Sequence, residues 1–352
     1  MFDQEYTKKE MLICCLTPAA YAIWDPIQLD YMKGHLINYR HNKFDVDAQG
    51  VSYIDQLRNQ AIKKLLFTTN KSGLENALIC IEQGALNYYH FLIEVLPEIL
   101  LMTKWCEMNN YYYNQIIVSA KSSFVNEYLL MCGIEAKVIA MRQGGTGHYN
   151  GKWEVKSMLM RNCIIGLNHF TKKRQSERVS LDRRISLIRE SINYPCDLST
   201  NKESFPLKIF IERMISNNNS EERKVFPQDA FHADLIRNGF KIVFLENYSV
   251  WDQIKLFSSV DTIMAVHGAA LVNIIYLKQS ATLIELVHEK GSSNVFNELA
   301  LACGIENYKR IALPGVHGTS KEEEIKDRLN QGNNCLPLQY TKELKTLIYG
   351  LF

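Results

Sequence analysis

The sequence predicts an α/β protein with two Rossmann-like domains that face a cleft. In the carboxyl half, apolar strands alternate with amphipathic helices, which is typical of a parallel sheet covered by helices on both faces. The amino half shows the same strand, helix, strand order between 114 and 140. A length of 352 residues suits two domains. We place an amino-terminal domain at 1–190 and a carboxyl-terminal domain at 191–352, whose last helix can pack back on the amino-terminal domain.

The carboxyl half has the clearer pattern. Its strands, each apolar and rich in β-branched residues, are predicted at 207–213, 241–246, 261–266 and 281–287. Its helices are predicted at about 226–238, after a capping box at Ser249 and Asp252, and at about 294–303. Gly239 and Gly304 follow two of these helices, and glycine is the common residue at such helix ends.

The amino half is less regular. A strand-like segment that begins at Ala77 leads into a long apolar helix from about Tyr88. Strands are predicted at 114–120 and 136–140, with a helix between them. The polar, proline-containing segment 186–206 is the predicted hinge between the domains.

Composition narrows the class of protein. With 47% hydrophobic and 22% charged residues the chain is globular in composition. Its 40 basic and 38 acidic residues nearly cancel, so there is no overall positive field of the kind that draws proteins to nucleic acid. The nine cysteines include no C-x-x-C pair, which favours reduced thiols over a disulfide framework or a zinc site.

The amino-terminal segment 11–24 is apolar but contains Pro18, and it is shorter than the roughly 20 residues that span a bilayer. Acidic residues outnumber basic ones before it, unlike the start of a secretory signal peptide. We therefore expect a cytoplasmic protein.

Two short motifs invite a phosphate or metal interpretation and match it poorly. Asp45 and Asp47 form an Asp-x-Asp pair that can hold a divalent metal, but they lie in what reads as an exposed turn. The glycine-rich segment 142–153 has one residue too few for a phosphate-binding loop, and Trp153 stands where that loop needs Ser or Thr. We expect no metal site.

The segment 171–184 is strongly basic, and Lys172, Lys173, Arg174 and Arg178 carry much of its charge. It lacks the aromatic residues that would stack on bases, so we expect no nucleic-acid partner. A solvated helix face is one interpretation. Peripheral contact with the anionic inner face of a membrane is the other.

His90 and Glu94 are four residues apart in an otherwise apolar helix, so they should lie one above the other on one face. A histidine and a carboxylate in this arrangement can form a general base and its orienting group. The alternative is a polar pair that only packs the helix.

The stretch 265–286 carries the strongest sign of a ligand site. An apolar strand ends at His267-Gly268-Ala269-Ala270, a short helix-like stretch follows, and Glu285 lies in the next strand. Small residues let a ligand approach the backbone, and amides at the start of a helix favour negative charge. His267 and Asn273 add donors, and Glu285 is placed to accept hydrogen bonds from ribose hydroxyls. We expect the diphosphate of a nucleotide to bind here.

Three segments of the chain resemble glycosyltransferase family 61: "NYYHFLIEVLP" (87–97), "IFIER" (209–213) and "DQIKLFSSVDTIMAVHGAALVNIIYLKQSATLIEL" (252–286). The specific part is the H-G-A-x-L-x-N block followed by a strand that ends in Glu. The family includes bacterial capsule and lipopolysaccharide transferases, plant xylan transferases and secretory-pathway protein O-GlcNAc transferases.

The resemblance implies a GT-B-like fold, an inverting mechanism and a nucleotide-sugar donor held mainly by the carboxyl-terminal domain, with no cofactor. It identifies Arg213 with the family's strand-exit arginine and Arg223 with a second arginine, while Pro227-Gln228 replaces the usual Asn-Glu. Gln253 and Glu285 match the family pattern. Arginines, His267 and the 268–270 amides would then stabilise the charge of the leaving diphosphate.

The leading hypothesis is an inverting glycosyltransferase that acts on a cell-surface polysaccharide or lipid-linked saccharide at the cytoplasmic face, as the bacterial members do. One alternative is a non-catalytic sugar-nucleotide-binding or assembly protein that has kept the donor site. A Rossmann oxidoreductase is a weaker alternative, because no predicted strand is followed by G-x-G-x-x-G.

Overall fold

In the computed structural model the described residues are 13–16, 21–22, 74–80, 87–120, 122–143, 152–153, 159–161, 163–166, 180–193, 205–214, 224–289, 293–315 and 337–351. The chain divides into two compact units, unit 1 (Met1–Tyr194) and unit 2 (Pro195–Phe352). Both combine helices with parallel strands. The cleft that the sequence predicts between two domains stays a prediction.

Unit 1 contains a six-stranded mixed sheet in the order β1-β9-β4-β5-β6-β7 and a small sheet in the order β2-β8-β3. The strands are β1 (Ile13–Leu16), β2 (Tyr21–Ala22), β3 (Leu74–Glu75), β4 (Ala77–Cys80), β5 (Gln115–Ala120), β6 (Lys137–Gln143), β7 (Lys152–Trp153), β8 (Leu159–Arg161) and β9 (Cys163–Gly166). The strands β9, β4, β5 and β6 are parallel to their neighbours within this group, and the outer pairs are antiparallel.

One long helical segment follows β4 in unit 1. It begins as the α-helix Tyr88–His90, passes through a π-helical turn at Phe91–Val95 and continues as the α-helix Leu96–Met108. Further helices are Ser123–Met131 and Leu181–Ser191. The last of these corrects the predicted hinge in part, because the first residues of 186–206 belong to an amphipathic helix with Ile185, Leu187 and Ile188 buried.

Unit 2 is built on a parallel sheet in the order β12-β10-β13-β14-β15. Its strands, with the separate pair β11 and β16, are β10 (Lys208–Glu212), β11 (Val225–Phe226), β12 (Lys241–Phe244), β13 (Thr262–Val266), β14 (Thr282–His288), β15 (Asn307–Leu313) and β16 (Leu338–Gln339). Its α-helices are Gln228–Arg237, Val250–Ser259, Val295–Ala302 and Lys342–Tyr349. All four strands and all three helices predicted for this half are present.

The sequence signals at helix ends have the expected structural basis. Ser249 Oγ accepts the Asp252 backbone N–H at 3.1 Å and so caps the helix Val250–Ser259. Gly239 and Gly304 have φ of 79° and 71°, the left-handed conformation that glycine adopts without steric cost.

The last helix, Lys342–Tyr349, packs against other elements of unit 2, and the packing on the amino-terminal domain suggested by the sequence stays a prediction. Leu344 and Ile348 are buried in the same core cluster as Phe231 and Leu235 of the helix Gln228–Arg237. Asp234 joins the two helices, because its carboxylate accepts hydrogen bonds from Tyr340 and Tyr349, both at 2.8 Å, and pairs with Lys345 at 3.1 Å. These hydrogen bonds, that of Tyr349 first, lower the pKa of Asp234 to about 2.

Candidate functional site

The strand order of unit 2 creates a topological switch point. The chain passes from β10 to β12 on one side of β10 and returns to form β13 on its other side. In an open α/β sheet of this order, a crevice forms between the carboxyl ends of two such neighbouring strands, and ligands bind there. Ile211 of β10 pairs with Ala265 of β13, so Arg213 and His267, each two residues further on, leave the same edge of the sheet. Both were predicted site residues.

The short helix-like stretch predicted after β13 is present as a 3₁₀ helix. Ala269–Tyr276 is a 3₁₀ helix of eight residues, which begins after Gly268. The Leu271 amide donates to the Gly268 carbonyl at 2.9 Å. Ala269 and Ala270 are half-buried. Small side chains therefore lie at the carboxyl edge of the sheet, where the sequence predicts that the nucleotide binds.

His267 is anchored by a buried carboxylate. Its Nδ1 donates to Oε1 of Glu285, whose side chain is 1% exposed. Tyr308 donates its hydroxyl to the other carboxylate oxygen of Glu285, and Arg310 Nε lies 3.8 Å from that oxygen. Burial, followed by the hydrogen bond to Glu285, raises the pKa of Tyr308. The Phe296 ring packs edge-on against His267 at 5.0 Å between centroids.

These contacts give Glu285 a structural task before any ligand binds. Both of its oxygens already accept a hydrogen bond from the protein. The ribose contact expected from the sequence stays a prediction, while the observed contacts make Glu285 the residue that orients the His267 ring. With Nδ1 engaged, Nε2 is the ring nitrogen through which His267 can meet a ligand.

Asn273 and Gln253 form a structural pair. Asn273 is completely buried, and its Nδ2 donates to Gln253 Oε1 at 2.8 Å. Gln253 Nε2 donates in turn to the carbonyls of Leu245 and Tyr248, at 3.1 and 3.2 Å. The ligand contact predicted for Asn273 stays a prediction, and the contact that the structure shows for this buried side chain is the one with Gln253. The pair fastens the 3₁₀ helix to the segment after β12.

At the end of β10 lies a second histidine–glutamate pair, which the sequence analysis missed. Glu212 is 3% exposed and its Oε2 accepts from His232 Nε2 at 2.9 Å and from Gln228 Nε2 at 3.3 Å. Its Oε1 accepts the Arg213 backbone N–H at 3.1 Å. The available signal was an acidic residue at the end of an otherwise apolar strand. Arg213 itself is exposed, and Arg223 lies outside the described residues.

The predicted pair in unit 1 is present as a contact. His90 Nδ1 lies 2.9 Å from Glu94 Oε2, and the two side chains are 31% and 33% exposed. The apolar surroundings expected from the sequence are therefore only partial. Glu94 belongs to the π-helical turn Phe91–Val95, and such turns occur frequently at functional sites. Whether His90 acts as a base stays a prediction.

The basic segment 171–184 is described from residue 180 onward. Arg184, on the helix Leu181–Ser191, is buried and its Nη1 donates to the Ile93 carbonyl of the π-helical turn at 3.5 Å. Arg183 pairs with Glu190 at 3.7 Å. Lys172, Lys173, Arg174 and Arg178 lie outside the described residues, as do Asp45, Asp47 and residues 144–151 of the glycine-rich segment.

Within the described residues, no group of three or more His, Cys, Asp or Glu side chains is arranged to hold a metal ion. Nor does any helix in that part of the chain have the length and apolarity needed to cross a membrane. Cys80, Cys106, Cys132 and Cys303 are reduced, with no disulfide among them.

Comparison with known proteins agrees with the sequence resemblance. The family model described as Glycosyltransferase 61 matches residues 88–284, which is more than half of the chain and includes β10, β13, His90 and His267. No curated protein matches the sequence. The solved structure described as E. coli heptosyltransferase WaaC with ADP is 9% identical, with 74% of this chain and 99% of that chain covered, and the TM-score of 0.26 is too low to support any conclusion. The family model does: this chain belongs to glycosyltransferase family 61.

Proposed function

We propose that the protein is an inverting glycosyltransferase that moves a sugar from a nucleotide-diphosphate donor to a cell-surface polysaccharide or lipid-linked saccharide. Membership of the family supports glycosyl transfer in general. The observation that carries the finer proposal is the switch point of unit 2, where Arg213 and His267 leave the same edge of a parallel sheet inside the matched region.

The donor diphosphate is assigned to this edge. A departing nucleoside diphosphate gains negative charge as the sugar–phosphate bond breaks, and groups fixed in advance around that charge lower the barrier. The Arg213 guanidinium, His267 through Nε2, and the amides of Gly268, Ala269 and Ala270 are of the right chemical kind. Glu285 and Tyr308 keep His267 in place, so little reorganisation is needed during the reaction.

Inversion requires a base that removes the proton from the acceptor hydroxyl. We assign this step to His90, with Glu94 holding its ring, because the contact is formed, both side chains are about a third exposed, and Glu94 lies in the π-helical turn that follows His90. The positive charge that stabilises the leaving diphosphate is proposed to come from side chains, so the reaction should not need a divalent metal. A cytoplasmic location with peripheral membrane contact through 171–184 completes the proposal.

Hydrolysis and transfer assays with a panel of UDP-, GDP-, ADP-, dTDP- and CMP-activated sugars test it. The account predicts turnover of at least one nucleotide-diphosphate sugar, unchanged when EDTA is present, and release of the sugar with inverted anomeric configuration. Binding of a donor without turnover, in the presence of saccharide acceptors, would instead indicate the non-catalytic alternative. Activity that disappears in EDTA and returns with manganese would contradict metal independence.

A further inference from the structure

We propose that His232, held by Glu212, is a second contact for the donor diphosphate, on the opposite side of the switch point from His267. This inference deepens the proposed function and rests on it. Glu212 lies in the segment 209–213 that resembles the family, but neither Glu212 nor His232 is among the site residues which that resemblance identified, so the assignment comes from geometry.

The location of the pair is the first reason. Glu212 is the last residue of β10, and Arg213 follows it at the edge where the ligand crevice of this strand order forms. His232 lies in the helix Gln228–Arg237, which follows β10 on the way to β12. A ligand between the carboxyl ends of β10 and β13 would therefore have His232 on one side and His267 on the other.

The chemistry of Glu212 is the second reason. A buried carboxylate is costly unless donors surround it, and here three donors do so: the Arg213 amide, Gln228 and His232. The negative charge of Glu212 is thus compensated by donors of the protein itself. What the pair turns outward is a half-buried imidazole whose side chain is 21% exposed.

The engaged ring nitrogen decides what His232 can offer. Nε2 donates to Glu212 Oε2 at 2.9 Å, which leaves Nδ1 for a ligand. The Phe210 and Phe231 rings, with centroids 6.2 and 6.0 Å from that of His232, limit how far the imidazole can move. In the imidazolium form both nitrogens are donors, so Nδ1 can donate to a phosphate oxygen while Nε2 stays on Glu212.

The two pairs share one design. In each, a glutamate at 3% exposure or less fixes one nitrogen of a histidine at the carboxyl edge of the sheet. A diphosphate carries charge on both phosphates, and Arg213 with two fixed imidazoles, each in its imidazolium form when the diphosphate is bound, would supply charge-assisted hydrogen bonds to it. His232 therefore completes the donor site at the side where the sequence had assigned arginines alone.

Two substitutions at one position separate a ligand contact from a packing role. In His232→Gln the amide nitrogen can reach Glu212 near the Nε2 position, but nothing replaces Nδ1. In His232→Asn the amide nitrogen lies near the Nδ1 position and Glu212 loses one of its three donors. A ligand contact predicts that the glutamine variant loses more affinity than the asparagine variant, and a packing role predicts the reverse.

The experiment is calorimetric titration of the full chain with UDP, GDP, ADP and dTDP, followed by the tightest of these with each variant. Ile236→Gln, at an exposed position on the same helix, is the matched control. We expect His232→Gln to weaken nucleotide binding about 10- to 100-fold and to keep a melting temperature near that of the wild type. The Ile236→Gln control should bind the nucleotide like the wild type. Inorganic pyrophosphate, used as a competitor of the nucleotide, should lose more potency against His232→Gln than against His232→Asn.

Wild-type affinity in His232→Gln, while the wild-type chain binds a nucleoside diphosphate, would overturn this inference and leave the proposed function standing. Unchanged competition by pyrophosphate alongside weaker nucleotide binding would also overturn it, because the contact would then be to the nucleoside. Failure of the wild type to bind any of the four nucleotides would overturn both.

Discussion

Units 1 and 2 each contain a histidine whose Nδ1 contacts a glutamate, but the two pairs are built differently. His90 and Glu94 are four residues apart on one helical segment and about a third exposed. His267 follows the end of β13, whereas Glu285 lies in the middle of β14 and is almost completely buried. A pair at i and i+4 forms wherever a helix forms, whereas the second pair exists only when the parallel sheet is assembled. The His267–Glu285 pair is therefore the stronger indication of a functional site.

The largest expected effect is a loss of catalytic rate when the unit 1 pair, His90 and Glu94, is disrupted. His90→Ala should lower kcat by about 10²–10⁴-fold, the usual contribution of positioned proton transfer, while donor affinity stays near the wild-type value. Steady-state assays with the donor identified by the nucleotide-sugar panel would measure it. If the folded variant keeps more than about a tenth of wild-type turnover, below the loss expected of a base, His90 is a packing residue and Glu94 should be tested next.

For the free energy of unfolding the larger loss is expected at the unit 2 pair, His267 and Glu285, and the smaller loss at the unit 1 pair, His90 and Glu94. Glu285→Ala removes the acceptor of both His267 and Tyr308, and leaving buried donors unsatisfied costs about 1–3 kcal/mol for each. Glu94→Ala breaks a half-exposed pair, which contributes about 0–1 kcal/mol. Denaturant unfolding of both variants measures the difference in the free energy of unfolding. Equal losses would show that the burial contrast has no energetic meaning.

Asp234 provides a structural carboxylate for comparison, because its contacts with Lys345 and Tyr349 tie the helix Gln228–Arg237 to the helix Lys342–Tyr349. Asp234→Asn should lower the free energy of unfolding by about 1–3 kcal/mol at pH 7 and leave nucleotide affinity unchanged. The pKa of Asp234 is lowered to about 2, so the ionised form stabilises the fold above the ordinary pKa. That contribution should disappear as the pH falls from about 4 toward 2. A pH-independent difference between variant and wild type would contradict this assignment.

The smallest expected effect lies in the basic segment of unit 1. If Lys172, Lys173, Arg174 and Arg178 contact anionic lipid, each should contribute about 1 kcal/mol to membrane binding, less at high salt. Co-sedimentation with vesicles containing phosphatidylserine, compared for the wild type and a variant with all four replaced by glutamine, measures this. Equal sedimentation of the two proteins, or none by either, would favour the solvated-face interpretation.

Local patterns predicted the elements of unit 2 well. Apolar strands, the Ser249 cap and the glycines at helix ends depend on near neighbours in the chain, and each is present where the sequence placed it. The His90–Glu94 contact was predictable for the same reason, because helix geometry brings i and i+4 together.

Contacts between distant residues were not predictable in this way. Glu212 and His232 are 20 residues apart, and Glu285 and Tyr308 are 23 apart, so sequence spacing says nothing about their distance. Asn273 was predicted as a ligand contact from its place near the start of the helix-like stretch, and its burial against Gln253 depends on the packing of the 3₁₀ helix, which the sequence does not show. The sequence showed which residues lie near the edge of the sheet but not which of them face a ligand.

The most direct test of the central claim compares donor binding in His267→Ala, Arg213→Ala and His90→Ala by calorimetric titration with the tightest-binding nucleoside diphosphate. The account predicts that His267→Ala and Arg213→Ala each lose about 1.5–3 kcal/mol of binding free energy, the value of a charge-assisted hydrogen bond, while His90→Ala binds like the wild type. Wild-type affinity in both unit 2 variants, or a loss confined to His90→Ala, would contradict a donor site at the carboxyl edge of unit 2.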